Sequence, residues 1–126
     1  MPPGRNWTTE DFRLDPSRPL YEQFTEQIRA MIAKGELAPG ERLPSVREMA
    51  SGLRVNPTTA MKTYQELERM NLIVTYRGQG TFVTREEEAI RRSRRQLAQE
   101  AVRQLTETAR SLGLTPEQLW ELAREE

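Results

Sequence analysis

The sequence predicts a mainly α-helical fold with one small β-hairpin, an α+β class, followed by a pair of tail helices. Three observations carry that reading. Apolar residues recur at helical spacing after Pro19 and again from Ile90. Two helix starts with capping residues, Ser45 and Asn56, follow one another at short range. Before the last helical stretch, the composition turns β-branched and aromatic on both sides of Arg77-Gly78-Gln79-Gly80.

The first 19 residues hold four of the eight prolines and no amphipathic period. Pro2-Pro3-Gly4 is expected to be mobile. Phe12 and Leu14, apolar at spacing two, suit a short extended stretch laid on the body before Asp15-Pro16 turns the chain. Leu20, Phe24, Ile28, Met31 and Ile32 then form one stripe on a first helix, which Gly35 stops. Pro39-Gly40 makes a turn, and Leu43-Pro44 leads into the next start.

Ser45-Val46-Arg47-Glu48 is a capping box: the Ser45 hydroxyl accepts from the Glu48 N–H, and the Glu48 carboxylate reaches back. Val46, Met49, Ala50 and Leu53 give this second helix its buried side, and Gly52 with Asn56-Pro57 is expected to keep it short. Asn56 caps a third helix whose first residue is Pro57, where the missing N–H is no loss. Ala60, Tyr64, Leu67 and Met70 face inward, and the helix ends near Asn71. Two short helices joined by a tight connection read as a helix-turn-helix.

Leu72-Ile73-Val74-Thr75-Tyr76 and Thr81-Phe82-Val83-Thr84 make a hairpin around a four-residue loop, Arg77-Gly78-Gln79-Gly80. Three helices followed by a hairpin is the winged form of the motif. From Arg85 the chain is helical again. Ile90, Leu97, Ala101, Leu105 and Leu112 form a heptad-like seam, and Gly113 ends it. Thr115-Pro116-Glu117-Gln118 caps a last helix bearing Leu119, Trp120, Leu122 and Ala123. Such a pair has little core of its own, so the seam is expected to pack against a second copy. The boundaries are an N-terminal arm over 1–14, a winged helix-turn-helix over 15–84 and a dimerisation tail over 85–126.

Length suits one compact domain plus an appendage. With no Cys and no His, the chain has no zinc finger, thiol nucleophile, imidazole base or Ser-His-Asp triad. Nothing argues for an oxidising compartment. The chain is 30% charged and its apolar runs are short, so neither a membrane span nor a signal-peptide core is expected. Lys and Arg number 19 against 19 Asp and Glu. That zero hides a pattern: residues 1–41 sum to −2, residues 42–85 to +4 and residues 86–126 to −2. The basic third carries both short helices and the hairpin, although such an imbalance is also common on solvated surfaces.

The motifs Leu20-Tyr21-Glu22-Gln23, the run from Gly35 through Leu43-Pro44-Ser45-Val46-Arg47-Glu48, Val55-Asn56-Pro57-Thr58-Thr59 and Arg77-Gly78-Gln79-Gly80-Thr81-Phe82-Val83 stand in a particular order and spacing. In that order they resemble a GntR-type winged-helix DNA-binding domain. The short two-helix tail and the Phe12-Arg13-Leu14-Asp15-Pro16 entry resemble the YtrA-type subfamily. The resemblance implies a bacterial, cytoplasmic, homodimeric repressor that binds double-stranded operator DNA without a cofactor or metal.

On that resemblance, Arg47 in the first turn of the second helix is a DNA contact, its fork suited to guanine O6 and N7; otherwise it is a solvated arginine. Ser45 is first a cap and second a phosphate contact, and Asn56 joins it at the next helix start. Thr58 and Thr59 open the helix that enters the major groove, although helix-terminal hydroxyls also satisfy backbone groups. Lys62 is expected at a phosphate or base edge. Met61 departs from the family's usual polar or basic residue, and its thioether suits a thymine methyl rather than guanine. Arg77, Gly78 and Gln79 at the hairpin tip suit the minor groove, although such a tip is commonly just a turn. The run Arg91-Arg92-Ser93-Arg94-Arg95 reads more simply as a solvated helix face than as a phosphate contact. In the tail, Ile90, Leu97, Ala101, Leu105, Leu112, Leu119 and Trp120 are the dimerisation candidates.

Two rival functions stand beside this one. In the first, a small-molecule effector binds between the tail helices of a dimer and resets the spacing of the heads. The tail offers few convergent polar groups for that beyond Gln104 and its arginines. In the second, the protein is a hydrolase or transferase. Glu86-Glu87-Glu88, however, more simply complements the positive end of a helix, and no glycine-rich phosphate loop leads into a lysine.

Overall fold

The computed structural model describes residues 6–125, so Pro2-Pro3-Gly4 lies outside the described residues. The chain divides into two compact units, one running through Ser93 and one from Arg94.

In the first unit, helix α1 spans Leu20–Ala33 and buries Phe24, Ile28, Met31 and Ile32 of the predicted stripe, while Leu20, its first residue, is exposed. Gln23 on the same helix is also buried, because it staples the entry loop. Its amide oxygen accepts the Asp15 N–H (2.6 Å), and its Nε2 donates to the Asp15 (2.7 Å) and Arg18 (3.0 Å) carbonyls. The turn that follows places Gly35 at φ +82° and Gly40 at φ +79°.

Strand β1, Arg42–Leu43, was read only as a lead-in. It pairs antiparallel with β3, Gly80–Val83, which also pairs with β2, Ile73–Tyr76, in the order β1-β3-β2. Two residues carry no period, so nothing local announces β1. The hairpin loop has three residues rather than four, because Gly80 pairs with Tyr76. A turn closed by the Gln79 N–H on the Tyr76 carbonyl (2.9 Å) leaves Gly78 at φ +80°, where a side chain would be strained.

Helix α2 spans Val46–Leu53 and α3 spans Pro57–Arg69, each with its predicted cap. Gly52 lies inside α2 and does not stop it. The stop is Arg54, in the left-handed region at φ 54°. The core of this unit gathers Phe24, Ile28, Met49, Leu53, Ala60, Tyr64, Leu67, Leu72 and Val83. Phe12 and Trp7 join it, and Trp7 is 1% exposed although no periodicity marked it. The segment around them includes a short 3-10 turn, Thr9–Asp11, with Thr8 as its cap.

Helix α4 spans Glu87–Ser111. Its start belongs to the first unit, where Ala89 and Ser93 are buried and Ile90 packs against the core. Arg29 Nε donates to the Ser93 hydroxyl at 2.8 Å. In the second unit, the remainder of α4 is followed by α5, Pro116–Ala123, whose capping box pairs Thr115 with Gln118. Ala109 is buried there, whereas Val102, Leu105, Leu112, Trp120 and Leu122 are exposed.

A non-glycine residue in the left-handed region costs about 1–2 kcal/mol, partly offset in glycine by its greater unfolded entropy. Arg54→Gly is expected to stabilise the protein by about 0.5–1 kcal/mol in thermal or urea unfolding. An unchanged or lowered stability would show that the arginine side chain is itself held by the fold.

Candidate nucleic-acid interface

The two helix starts are built by their own side chains. The Ser45 hydroxyl accepts the Glu48 N–H (3.1 Å), and a Glu48 carboxylate oxygen accepts the Ser45 N–H (3.0 Å). Hydrogen bonding to the carboxylate from the Ser45 N–H, and then from the Ser45 side chain, holds the Glu48 carboxyl below the usual carboxylate range, with a smaller push from the Arg42 charge. Arg47, the second residue of α2, stays exposed. At the next start, Asn56 Oδ1 accepts the Thr58 N–H (2.8 Å), and exposed Thr58 and half-buried Thr59 follow Pro57.

Buried bonds set these starts in place. The Tyr64 hydroxyl, inside α3, donates to the Pro44 carbonyl immediately before the α2 cap. Burial raises the pKa of the phenol, and the nearby Glu48 charge adds to the shift, so it remains a donor. The hairpin is tied to α3 by Thr75, whose hydroxyl donates to Glu68 Oε1 (3.0 Å) and pairs with Thr81 (3.1 Å).

Between α3 and the hairpin runs an open groove of about 760 Å³. Met61 and Gln65 line it from α3, Ser45 and Val46 from α2, and Arg77, Gly78 and Gln79 from the hairpin tip. Of the predicted DNA-contact residues, the groove gathers Ser45, Met61, Arg77, Gly78 and Gln79. Met61 is 48% exposed, so the thioether is not core. Arg47, Asn56, Thr58, Thr59 and Lys62 lie outside the groove lining, the first four on the opening turns of the two helices. Lys62 instead places its ammonium 5.5 Å from the centre of the Tyr21 ring on α1, a cation–π contact that orients it.

Among the groove residues that the sequence does not mark as DNA contacts are Arg42, Gln65, Tyr76 and the acidic Glu68. Arg42 stands on β1, and its guanidinium lies over Gly80, where an added Cβ would sit 3.2 Å from Nε. Gly80 needs its bare backbone for φ +123°, and the arginine packs closely over it. Tyr76 is 52% exposed and pairs with Phe82 across the sheet at 5.9 Å between ring centres. Exposure of a strand aromatic was the one signal available, and only the register reveals it. No helix among the described residues is long and apolar enough to cross a membrane.

A helix, a short strand, two further helices and a two-stranded hairpin in this order make a winged helix-turn-helix, a fold class that reads DNA. The family model for bacterial regulatory proteins of the gntR family matches residues 20–83, and the chain belongs to that family. It is 40% identical over 111 residues to the uncharacterized HTH-type transcriptional regulator YhcF of Bacillus subtilis, covering 88% of this chain and 92% of the relative. It is 37% identical over 116 residues to the HTH-type transcriptional repressor YtrA of the same organism, covering 90% and 89%. Among solved structures, a GntR family transcriptional regulator from Listeria monocytogenes matches with a TM-score of 0.81 at 32% identity, over 88% of this chain and 97% of that one. The protein is a DNA-binding transcriptional regulator and not an enzyme.

The box has a pH signature. Asp15, whose carboxylate accepts from the Ser17 N–H and hydroxyl, is held down like Glu48. Both carboxyls therefore take up protons more readily in the unfolded chain. Their contribution is complete above the ordinary carboxylate range of about pH 4–5 and is lost as pH falls from there through the lower values that the folded chain gives them. Glu48→Gln is expected to flatten the acid limb of stability between about pH 6 and about pH 3 in urea titrations. An acid limb as steep as that of the unmodified protein would place the titration elsewhere.

Proposed function

We propose that the protein is a homodimeric repressor acting in the cytoplasm, in which two heads occupy successive major grooves of a pseudo-palindromic operator. The observation that carries this reading is the groove itself. It brings the α2 start, the exposed side of α3 and the hairpin tip together, with Arg42 and Arg77 on its walls. In this reading residues 15–84 are the reader, residues 85–126 the dimerisation tail, and the arm over 1–14 braces the reader. Arg47, Thr58, Thr59 and Met61 address the major groove, Lys62 a phosphate, and Arg77, Gly78 and Gln79 the minor groove. Ser45 and Asn56 hold the helix starts against the backbone, and Arg42 adds a phosphate contact. Half-sites then lie about 34 Å apart, and binding weakens steeply with salt as counterions are released. Blocking of polymerase by the bound dimer supplies the repression, the activity that YtrA's name records for that relative.

The dimer is supported by the tail's exposed apolar surface. Val102 is 60% exposed, Leu112 58% and Trp120 64%, and Leu105 and Leu122 are exposed as well. A patch of that kind on a soluble regulator is suited to a partner. Leu97, Ala101 and Leu119 continue the seam, while Ile90 also packs against the core of its own head.

Arg47→Ala is expected to weaken operator binding by about 1–3 kcal/mol in a gel-shift titration at fixed salt, with relaxed preference at one base pair. Unchanged binding would remove Arg47 from the interface. Independently, the Leu105→Asp, Leu112→Asp pair is expected to turn a dimer into a monomer in analytical ultracentrifugation. A dimer that survives both substitutions would place the interface elsewhere.

A further inference from the structure

Asn6 and Trp7 are built into the reader rather than appended to it. The Trp7 ring meets Phe12 and Tyr64 edge-to-face, each at 6.1 Å between centres, and Phe12 meets Phe24 at 4.9 Å. One row of rings therefore connects α1, through the arm, to the middle of α3. The Trp7 backbone and the Asn6 side chain lie against α2. Asn6 Nδ2 donates to the Glu48 carbonyl at 3.0 Å, and Asn6 Oδ1 accepts the Trp7 N–H at 2.9 Å.

Gly52 is where the arm touches down. It is a helical residue outside the positive-φ set, so its backbone does not require glycine. In a helix interior, alanine is ordinarily the better residue. Here an added Cβ would stand 2.3 Å from the Trp7 carbonyl oxygen and 2.8 Å from Asn6 Nδ2. The glycine serves close approach: it lets the arm's backbone lie directly on α2 while the arm's indole wedges against α3.

We propose that Asn6 and Trp7 are positioning residues for operator reading. They clamp α2 onto α3 and so fix the relative placement of the two helix starts that carry Arg47 and Thr58. The proposal rests on the DNA-reading role given above. Its chemistry is distinct from a contact with DNA, because the clamp acts through the angle between two helices. It also differs from a general contribution to stability. A less stable head loses affinity for every duplex in proportion, whereas a misaligned head loses the sequence-dependent part alone.

The test uses the full chain and two variants, Gly52→Ala, which displaces the arm without deleting a core side chain, and Asn6→Ala, which removes the arm's bond to the Glu48 carbonyl together with the local bond to the Trp7 N–H. Each is titrated, at one salt concentration, with an operator selected by the unmodified protein and with a duplex of unrelated sequence. Gly52→Ala is expected to lower operator affinity by roughly tenfold, the size of one lost base-pair match, and unrelated-duplex affinity by less than about twofold. Asn6→Ala is expected to move in the same direction by a smaller factor, and it carries the test if Gly52→Ala does not fold. Equal losses on both duplexes, or no loss on either, would overturn the proposal. If the unmodified protein selects no sequence, the DNA-reading role fails, and hydrogen exchange decides the clamp. Faster exchange in Gly52→Ala confined to residues 46–55 would support it, and unchanged exchange there would overturn it.

Discussion

The packing of α2 against α3 is the constraint on which the rest of the head depends. Helix α2 has eight residues, well short of the roughly 12–15 that an isolated helix needs even to be marginal in water. Its position must therefore come from outside itself. Met49, Ala50 and Leu53 supply the apolar side, the Ser45–Glu48 box closes the first turn, and the Tyr64 hydroxyl holds the residue just before it. Asn6 and the Trp7 backbone press on the exposed flank at Gly52. These contacts converge on α2 from α3 and from the arm: the Tyr64 bond and the Ser45–Glu48 box act at the end that carries Arg47, and the arm acts at Gly52 near the other end.

That convergence explains how a head can be rigid inside while its outer face stays polar. Tyr64 and Met61 stand on the same helix, three residues apart. Both border the groove, but Tyr64 is buried and bonded to the backbone whereas the Met61 thioether is exposed. The same division holds for charge. A net charge of zero places a surplus of +4 on residues 42–85 and an equal deficit on the two flanks together. A chain with that pattern keeps a basic face without a basic total, so attraction to phosphate is local rather than global.

Legibility in the sequence followed the range of the interaction. The caps at Ser45, Asn56 and Thr115 form with residues two or three positions away, so their side chains announce them. The apolar stripe of α1 and the hairpin were legible for the same reason. Strand β1 was not, because its partner Phe82 lies far along the chain. Gly52 reads locally as a helix breaker, and only the arm's approach shows what it is for. Arg54 offers no local sign that it would take a left-handed conformation usually left to glycine or asparagine. In the candidate site, Arg47 and the hairpin tip came from motif order, whereas Arg42 and Tyr76 required the sheet register. Lys62 was placed on the right helix, but its cation–π partner on α1 could not be read from spacing.

The tail follows a different rule from the head. In the head, most apolar side chains predicted inside are found inside, because the chain itself supplies their partners, and Leu14 and Leu20 are the exposed exceptions. In the tail, the heptad seam was equally legible, yet from Val102 onward most of its large apolar side chains are exposed. Ile90 shows where the rule changes: it belongs to the same seam and packs against the core of its own head. A period of seven specifies which side of a helix seeks a partner, but not whether that partner is the same chain. For the proposed dimer this separation has a functional consequence. The head folds on contacts of its own, so weakening the tail would reduce affinity by uncoupling two half-sites, without disturbing how either half-site is read.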